Sequence, residues 1–159
     1  MKKLSICLWV DNQAEEVAQF YTSVFKNSKR LDKAEYLTDT PSHKEIGSVM
    51  TTRFEINGIE FMALNGGPLF KFTEATSFVI NCETQEEIDY YWEKLSAIPE
   101  SEQCGWLKDK FGVSWQVVPT QLGKLMSDPD KEKSKRTMDA MLKMKKMDIQ
   151  KLQDAHDGK

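Results

Sequence analysis

Residues that bind transition metals or form disulfides are scarce in this sequence. The 159 residues include three cysteines and two histidines. The number of cysteines is odd and no Cys-x-x-Cys pair occurs, so we expect neither a disulfide framework nor a cysteine zinc site. His43 falls in a predicted loop and His156 in the C-terminal tail, where neither completes a Ser-His-Asp arrangement.

Long hydrophobic runs and a strong charge of one sign are also lacking. The apolar stretch near the N-terminus, within Met1 to Val10, is too short for a signal peptide. No apolar run approaches membrane-spanning length. The formal net charge of −3 gives no strong attraction to nucleic acid. We therefore expect a cytoplasmic protein that binds neither nucleic acid nor a membrane.

An internal repeat is the most informative feature that the sequence does contain. Glu15–Val24 matches Glu86–Leu95 at an offset of 71 residues. Both segments place apolar residues at the spacing of one helix face, which predicts two equivalent amphipathic helices. Asn12 and Thr84 stand where each helix is expected to be capped.

Strand and turn signals surround each predicted helix in the same order. The Asn57-Gly58 dipeptide predicts a two-residue hairpin that pairs Ile56 with Ile59 and Arg53 with Met62. The predicted strands are Leu4–Val10, Ser48–Ile56, Ile59–Leu64, Ser77–Cys82 and Val113–Val118, with a shortened strand near Ser101–Cys104.

These patterns predict an α+β protein. Two βαβββ modules, at about 1–68 and 69–119, form a curved mixed sheet with helices on its outer face. Residues 120–159 are expected to be a C-terminal helical extension, with helices at Thr120–Met126, Lys131–Met147 and Asp148–His156. Methionines at every third position from Met138 to Met147 predict a stripe that packs on the domain or binds a partner subunit.

Several segments resemble the PhnB-like branch of the vicinal-oxygen-chelate superfamily, which includes glyoxalases and bleomycin-resistance proteins. They include Leu8-Trp9-Val10, Ala63-Leu64-Asn65-Gly66-Gly67-Pro68 and the run from Cys104 to Pro119. The resemblance implies a vicinal-oxygen-chelate-like domain over residues 1–119 and a homodimer, which would also cover open sheet edges. Many such sequences bear the label 3-demethylubiquinone-9 3-methyltransferase.

The sequence lacks the residues expected for two activities of related proteins, methyl transfer and metal-dependent catalysis. A methyltransferase on a Rossmann-like sheet needs a glycine-rich first turn, whereas Val10–Gln13 contains no glycine. Metal-dependent members of the superfamily hold a divalent ion with His or Glu from four inner strands. The repeat places Ile6, Met62, Ser77 and Gln116 at those positions, so we expect no metal and no cofactor.

Strand alternation sorts the predicted sheet into two faces. One parity, expected to pack under the helices, holds Cys7, Trp9, Phe61, Ala63, Phe78, Ile80, Trp115 and Val117. The other is of mixed polarity, as a ligand-binding face should be, and holds Leu8, Val10, Glu60, Met62, Leu64, Ser77, Val79, Ser114, Gln116 and Val118. The candidate ligand-binding residues are Arg53, Glu60, Met62, Asn65, Ser77, Ser114 and Gln116.

Three local features have two interpretations each. Arg53 is either a clamp for a carboxylate or phosphate, or the partner of Glu55 or Glu60 in an ion pair. The amides of Asn65–Pro68 either form an anion nest or simply turn the chain. Cys104 is either a nucleophile or a structural residue beside Trp106.

The function predicted on these grounds is metal-independent binding of a small molecule, or catalysis by a diverged enzyme. The alternatives are a metal-dependent lyase, isomerase or dioxygenase of the same fold, a drug- or toxin-sequestering protein, and the methyltransferase of the label. The sequence does not decide whether the protein is an enzyme, and no catalytic residue is assigned.

Overall fold

A computed structural model of the chain describes residues 4–41 and 43–159. The chain divides into two compact units, here called the first module, up to Lys71, and the second module, from Phe72 to Lys159. The first module contains β1 (Ile6–Val10), α1 (Ala14–Val24), β2 (Ser28–Glu35), β3 (Val49–Ile56) and β4 (Ile59–Asn65). The second contains β5 (Ser77–Cys82), α2 (Gln85–Leu95), β6 (Trp106–Lys108), β7 (Ser114–Pro119), α3 (Leu122–Met126), α4 (Lys131–Met141) and α5 (Ile149–Asp157).

The sheet of the first module has the strand order β1-β4-β3-β2. β1 runs parallel to β4, whereas β4 with β3 and β3 with β2 are antiparallel. The predicted hairpin is confirmed, because Ile56 pairs with Ile59 and Arg53 with Met62. Asn57 and Gly58 both have positive φ, 49° and 77°, as a type I′ turn requires.

The core of the first module lies between α1 and one face of its sheet. The apolar stripe predicted for α1 is confirmed, since Ala14, Val17, Ala18, Tyr21, Val24 and Phe25 are all buried. Phe54 and Phe61, paired across β3 and β4, stack with ring centroids 5.2 Å apart. Burying these aromatic side chains supplies much of the driving force for folding of this module.

The predicted faces of β1 were wrong. Leu8 and Val10 are buried, whereas Cys7 is exposed and Trp9 is half-buried. In the parallel ladder Leu8 lies opposite Ala63 and Cys7 opposite Met62, so Leu8 shares the helix-covered face. The helix offset of 71 residues therefore misaligned the leading strand of the repeat by one position.

The sheet of the second module has the order β5-β7-β6, with β5 parallel and β6 antiparallel to β7. The faces predicted for β5 and β7 are confirmed, because Phe78 pairs with the buried Trp115 on the α2 side and Ser77 with Ser114 on the other.

The short strand expected at Ser101–Cys104 is found instead at β6. A 3-10 turn at Pro99–Ser101 and an isolated bridge from Gln103 to Trp106 occupy the region where it was expected. The strand therefore begins after the turn, at Trp106.

A buried carboxylate builds the loop between β6 and β7. Asp109 is fully buried, and its Oδ1 accepts hydrogen bonds from the backbone amides of Phe111, at 2.9 Å, and Val113, at 3.0 Å. Its Oδ2 accepts from Trp115 Nε1 at 2.8 Å. These bonds set the start of β7 and hence the position of Ser114.

The helical tail belongs to the second module and differs from the prediction at one helix. α3 and α5 are confirmed, but the helix expected over Lys131–Met147 ends at Met141. Beyond it, the carbonyls of Met144 and Lys145 accept hydrogen bonds from the amides of Cys104 and Gly105, at 2.8 and 2.7 Å. Carbonyls that bind another segment in this way do not continue a helix. Since Met147 is buried and Met138 is 44% exposed, the methionines do not form one stripe.

β2 is an edge strand of the first sheet. Seven of its eight residues are exposed, and five of the eight are charged. Its pairing with β3 is irregular, with register shifts between Arg30 and Lys33 and between Ala34 and Glu35. Among the residues that the structure describes, no helix is long and apolar enough to cross a membrane.

Candidate ligand-binding site

Arg53 and Glu60 lie on the face of the first module that α1 does not cover. Glu60 Oε1 accepts from Arg53 Nη2 at 2.7 Å and from Nε at 3.2 Å, and Asp32 Oδ2 accepts from Nη1 at 2.7 Å. The hydrogen bond to Glu60, reinforced by Asp32, raises the pKa of the Arg53 guanidinium above its usual value. All three guanidinium nitrogens thus have carboxylate partners, and a ligand would have to displace one to use Arg53 as a clamp.

Met62 and Asn65, the other candidates of the first module, have different surroundings. Met62 is half-buried on the same face as Arg53 and lies opposite Cys7. The Asn65 amide is buried, where Oδ1 accepts from the Ala14 amide at 2.8 Å and Nδ2 donates to the Val49 carbonyl at 2.8 Å. Both ends of the Asn65 side chain are therefore used inside the module.

The bond from Ala14 also corrects the predicted start of α1. The N-cap position is Gln13 rather than Asn12, and its side chain makes no capping hydrogen bond. Asn65, at the end of β4, supplies that acceptor from a distant part of the chain. At α2 the predicted cap is confirmed, since Thr84 accepts from the Glu87 amide.

The glycines after Asn65 form a tight turn and not an open anion nest. The Gly66 amide donates to the carbonyls of Val10 and Leu64, at 2.9 and 3.0 Å, and the Gly67 amide donates to Asp11 at 3.3 Å. Trp9 packs against Gly66, and its Nε1 donates to the Gly67 carbonyl at 2.8 Å. The amides that would bind an anion are already paired within the module.

The second module brings three polar side chains together on the face of its sheet that α2 does not cover. Ser77, Ser114 and Lys108 occupy one row across β5, β7 and β6, because Ser114 pairs with both of the others. In the next row, Gln116 lies opposite Val79 and Trp106. Gln116 Nε2 donates to Ser77 Oγ at 2.9 Å and so fixes two of the predicted residues relative to each other.

An open cavity of about 370 Å³ lies over part of this face. This volume is within the range of small-molecule sites. Ser114 lines the cavity and is 1% exposed, yet its Oγ has no hydrogen-bond partner among the described residues. A buried hydroxyl without a partner is energetically unfavourable, so a ligand that bonds it would gain a contact the protein leaves unmade. The cavity is lined by Glu74, Ser101, Gln103, Cys104, Trp106, Leu107, Lys108 and Ser114.

Among the described residues, Lys108 is the cation that lines this cavity, and its carboxylate partner is Glu74. Its Nζ lies 2.5 Å from Glu74 Oε1, in the turn before β5. The Lys108 side chain is 19% exposed, whereas that of Glu74 is 64% exposed. The hydrogen bond from Lys108 lowers the pKa of the Glu74 carboxyl, so this carboxyl is ionised at neutral pH.

Cys104 borders the cavity in a constrained backbone conformation. Its φ is 51°, in the left-handed region, and its amide is held by the Met144 carbonyl. Cys104 and Gly105 therefore form a turn at the edge of the cavity, and their amides bind this turn to the segment before α5. The buried Cys82 has a different environment, where desolvation, with a smaller effect of Glu87, raises the pKa of its thiol to about 12.

The residues present do not form a site for a divalent ion. Within residues 4–41 and 43–159, no three His, Cys, Asp or Glu side chains are grouped closely enough to bind a metal. The ladders place Cys7 opposite Met62 and Val79 opposite Gln116, so the equivalent inner positions of the leading strands are Cys7 and Val79. Neither this set nor the one expected from the repeat has the oxygen and nitrogen ligands that a hard divalent cation requires.

A larger open cleft of about 1010 Å³ lies between the start of α2 and the segment before α5. Two ion pairs lie on its lining, Lys146 with Asp89 at 2.5 Å and Lys151 with Asp148 at 3.4 Å. No buried polar side-chain atom lacking a partner borders it among the described residues. We therefore take the cavity at Ser114 as the candidate site.

Lys108, Trp106 and Glu74 were missed as candidate residues in the sequence. Alternation along Trp106-Leu107-Lys108 would have placed Lys108 on the face of Ser114, had the short strand been predicted at β6. Glu74 lies in a turn, where no periodic pattern indicates the direction of a side chain.

Comparison with known proteins gives a consistent family assignment. The sequence model of the family described as 3-demethylubiquinone-9 3-methyltransferase matches residues 2–118. The PhnB protein of Bacillus cereus, which carries the same methyltransferase description, is 36% identical, with 75% of this chain and 100% of that chain covered and a TM-score of 0.61. No curated protein matches the chain.

More distant structures share the fold. Protein PA1353 of Pseudomonas aeruginosa is 16% identical, with a TM-score of 0.55 over 75% of this chain and 98% of that chain. The fosfomycin resistance protein FosX of Listeria monocytogenes is 17% identical, with a TM-score of 0.53 over 77% of this chain and 94% of that one. The fold is therefore of the vicinal-oxygen-chelate type.

Proposed function

The chain belongs to the PhnB-like family described as 3-demethylubiquinone-9 3-methyltransferase, and from that premise we propose that it binds a small molecule without a metal. The proposed site is the cavity of the second module. The observation that carries the proposal is Ser114, a residue of the cavity lining whose buried hydroxyl has no partner among the described residues.

The chemistry of the cavity suits a ligand with a polar end and an apolar body. The Ser114 hydroxyl both donates and accepts hydrogen bonds, and Lys108 adds a positive charge in the same row. Trp106 and Leu107 supply apolar surface beside them. Ser77 and Gln116, joined by a hydrogen bond on the same face, keep the neighbouring polar groups in place.

We do not propose the methyltransferase activity in the family description. A doubly wound parallel sheet provides the crevice in which Rossmann-like proteins bind nucleotide cofactors. In the part of the chain that the structure describes, each sheet has one parallel strand pair, and its other pairs are antiparallel. Isothermal titration calorimetry with S-adenosylmethionine should therefore show no binding.

The proposal is tested with benzamide, whose ring suits the apolar wall and whose amide can bond a hydroxyl. We expect benzamide, added to protein treated with EDTA, to shift the amide NMR signals of β6 and β7. Ser114→Ala should weaken this binding by about 2- to 12-fold, the equivalent of one hydrogen bond. Its thermal stability should not fall, because no intramolecular hydrogen bond is lost.

Thr52→Val is the matched control. Thr52 Oγ1 is a second buried hydroxyl without a partner among the described residues, but it lies on the helix-covered face of the first module. This change should leave benzamide binding intact. Benzamide shifts that map away from β6 and β7, or that Ser114→Ala leaves unchanged, would contradict the proposed site.

A further inference from the structure

Lys108 and Glu74 indicate which chemical class of ligand the cavity accepts. Both residues line the cavity, and the ion pair between them, at 2.5 Å, is on its wall. Of the two side chains, that of Glu74 can move away more easily, because Glu74 lies in a turn and is 64% exposed. Lys108 lies on β6 and is 19% exposed. The structure thus contains a carboxylate already seated on the cation of the cavity.

We infer that the cavity takes a small organic carboxylate with an apolar body, whose carboxylate replaces that of Glu74 on Lys108. This inference rests on the proposed function and names the class of ligand for the same site. The ligand carboxylate replaces the Glu74 carboxylate as the ion-pair partner of Lys108, so the Lys108 ammonium is paired before and after binding. An ion pair whose carboxylate is as exposed as that of Glu74 contributes little to stability, and its opening opposes binding only weakly.

Ser114 supplies the second contact that a carboxylate requires. Lys108 pairs with Ser114 across the β6–β7 ladder, so the two side chains project from the same face at the same level. A carboxylate has two oxygens, and it can accept one bond from the Lys108 ammonium and one from the Ser114 hydroxyl. This hydroxyl, which lacks a partner among the described residues, then gains a charge-assisted hydrogen bond.

The apolar part of the ligand is expected to contact Trp106. This side chain is half-buried, lines the cavity and lies in the row next to Ser114, opposite Gln116. An aromatic ring placed there buries apolar surface against the indole. Benzoate and benzamide therefore make a matched pair of probes, equal in shape and different in charge.

The experiment measures both affinities by NMR titration in the wild type and in three variants. Wild-type protein should bind benzoate more tightly than benzamide. Glu74→Gln should strengthen benzoate binding by about 2- to 5-fold, the range expected for removing one exposed ion-pair competitor, and leave benzamide unchanged. Lys108→Met should abolish the preference for benzoate.

Lys110→Met is the control, because Lys110 lies two positions further along the chain and does not line the cavity. It should keep the wild-type preference. Equal affinities for benzoate and benzamide in the wild type would overturn the carboxylate inference and leave the proposed binding function standing. An unchanged benzoate affinity in Glu74→Gln would also overturn it, independently of whether Lys108→Met folds. If neither benzoate nor benzamide binds the wild-type protein or any of the three variants, the carboxylate inference and the proposed function are both contradicted.

Discussion

Replacing Asp109 by alanine should destabilise the protein strongly. The carboxylate accepts hydrogen bonds from the Phe111 amide, the Val113 amide and Trp115 Nε1, and the last two of these bonds are buried. Alanine removes the carboxylate acceptor from these two buried donors, at about 1–3 kcal/mol each, so the free energy of unfolding should fall by about 2–6 kcal/mol. This is a large part of the ~5–15 kcal/mol typical of a folded protein. Urea unfolding followed by far-ultraviolet circular dichroism measures it.

Asp109→Asn separates the charge from the shape of the side chain. Its oxygen can still accept from the two backbone amides, but its NH₂ group then faces the Trp115 indole N–H, donor against donor. We expect a loss of about 1–3 kcal/mol. That loss should be smaller in a Trp115→Phe background, where the opposing N–H is gone, and a double-mutant cycle reports the difference.

Asp139→Asn is the control for removing an aspartate charge. Asp139 is 50% exposed and pairs with Lys135 on the surface of α4, so its replacement should change the free energy of unfolding by less than about 1 kcal/mol. The explanation given for Asp109 would be refuted by an Asp109→Ala variant that is as stable as Asp139→Asn.

Two further predictions concern close packing and acid stability. Gly66→Ala should destabilise by about 1–3 kcal/mol in thermal unfolding, because the new Cβ would lie 2.3 Å from the ring of Trp9. At Gly123, in α3, no described atom outside the backbone of that helix and the two neighbouring residues lies within 4 Å of a new Cβ. Gly123→Ala should therefore stabilise by about 0.5–1 kcal/mol, and the reverse order would contradict the packing argument. The hydrogen bond with His156 is the largest of the effects that lower the pKa of Asp157. The contribution of Asp157 to the free energy of unfolding is therefore fully present above the ordinary aspartate pKa of about 3.9, and it is lost as pH falls through the lowered pKa. Urea midpoints from pH 6 to pH 2 should therefore fall less steeply in Asp157→Asn than in the wild type, and parallel curves would exclude this contribution.

Local patterns sufficed to predict much of the fold. The Asn57-Gly58 turn fixes the β3–β4 register by its own geometry, and the helix stripes follow from residue spacing. The faces of β1 were mispredicted because all five of its residues, Ile6–Val10, are apolar, so alternation does not distinguish its sides. Only its ladder with β4, which joins residues far apart in the chain, decides which side is covered.

The candidate site depends still more on long-range contacts. Ser77, Ser114 and Gln116 were predicted from alternation, and the structure brings them together on one face. Asn65 was selected as a polar residue at a strand end, but no local signal shows that it caps α1. The pairing of Lys108 with Glu74 joins a strand to a turn 34 positions earlier, and such contacts are visible only in the folded chain.

The charged edge of the first sheet bears on how the protein behaves at high concentration. Exposed strand edges offer unpaired backbone groups on which another chain can build, the route to fibrils and to mispaired sheets. A strand of another chain that paired with β2 would have to follow an edge strand whose pairing with β3 has two register shifts. It would also approach five charged side chains of both signs. An added strand finds neither a straight template nor an apolar surface there. Self-association of folded molecules is thereby directed away from this edge of the sheet.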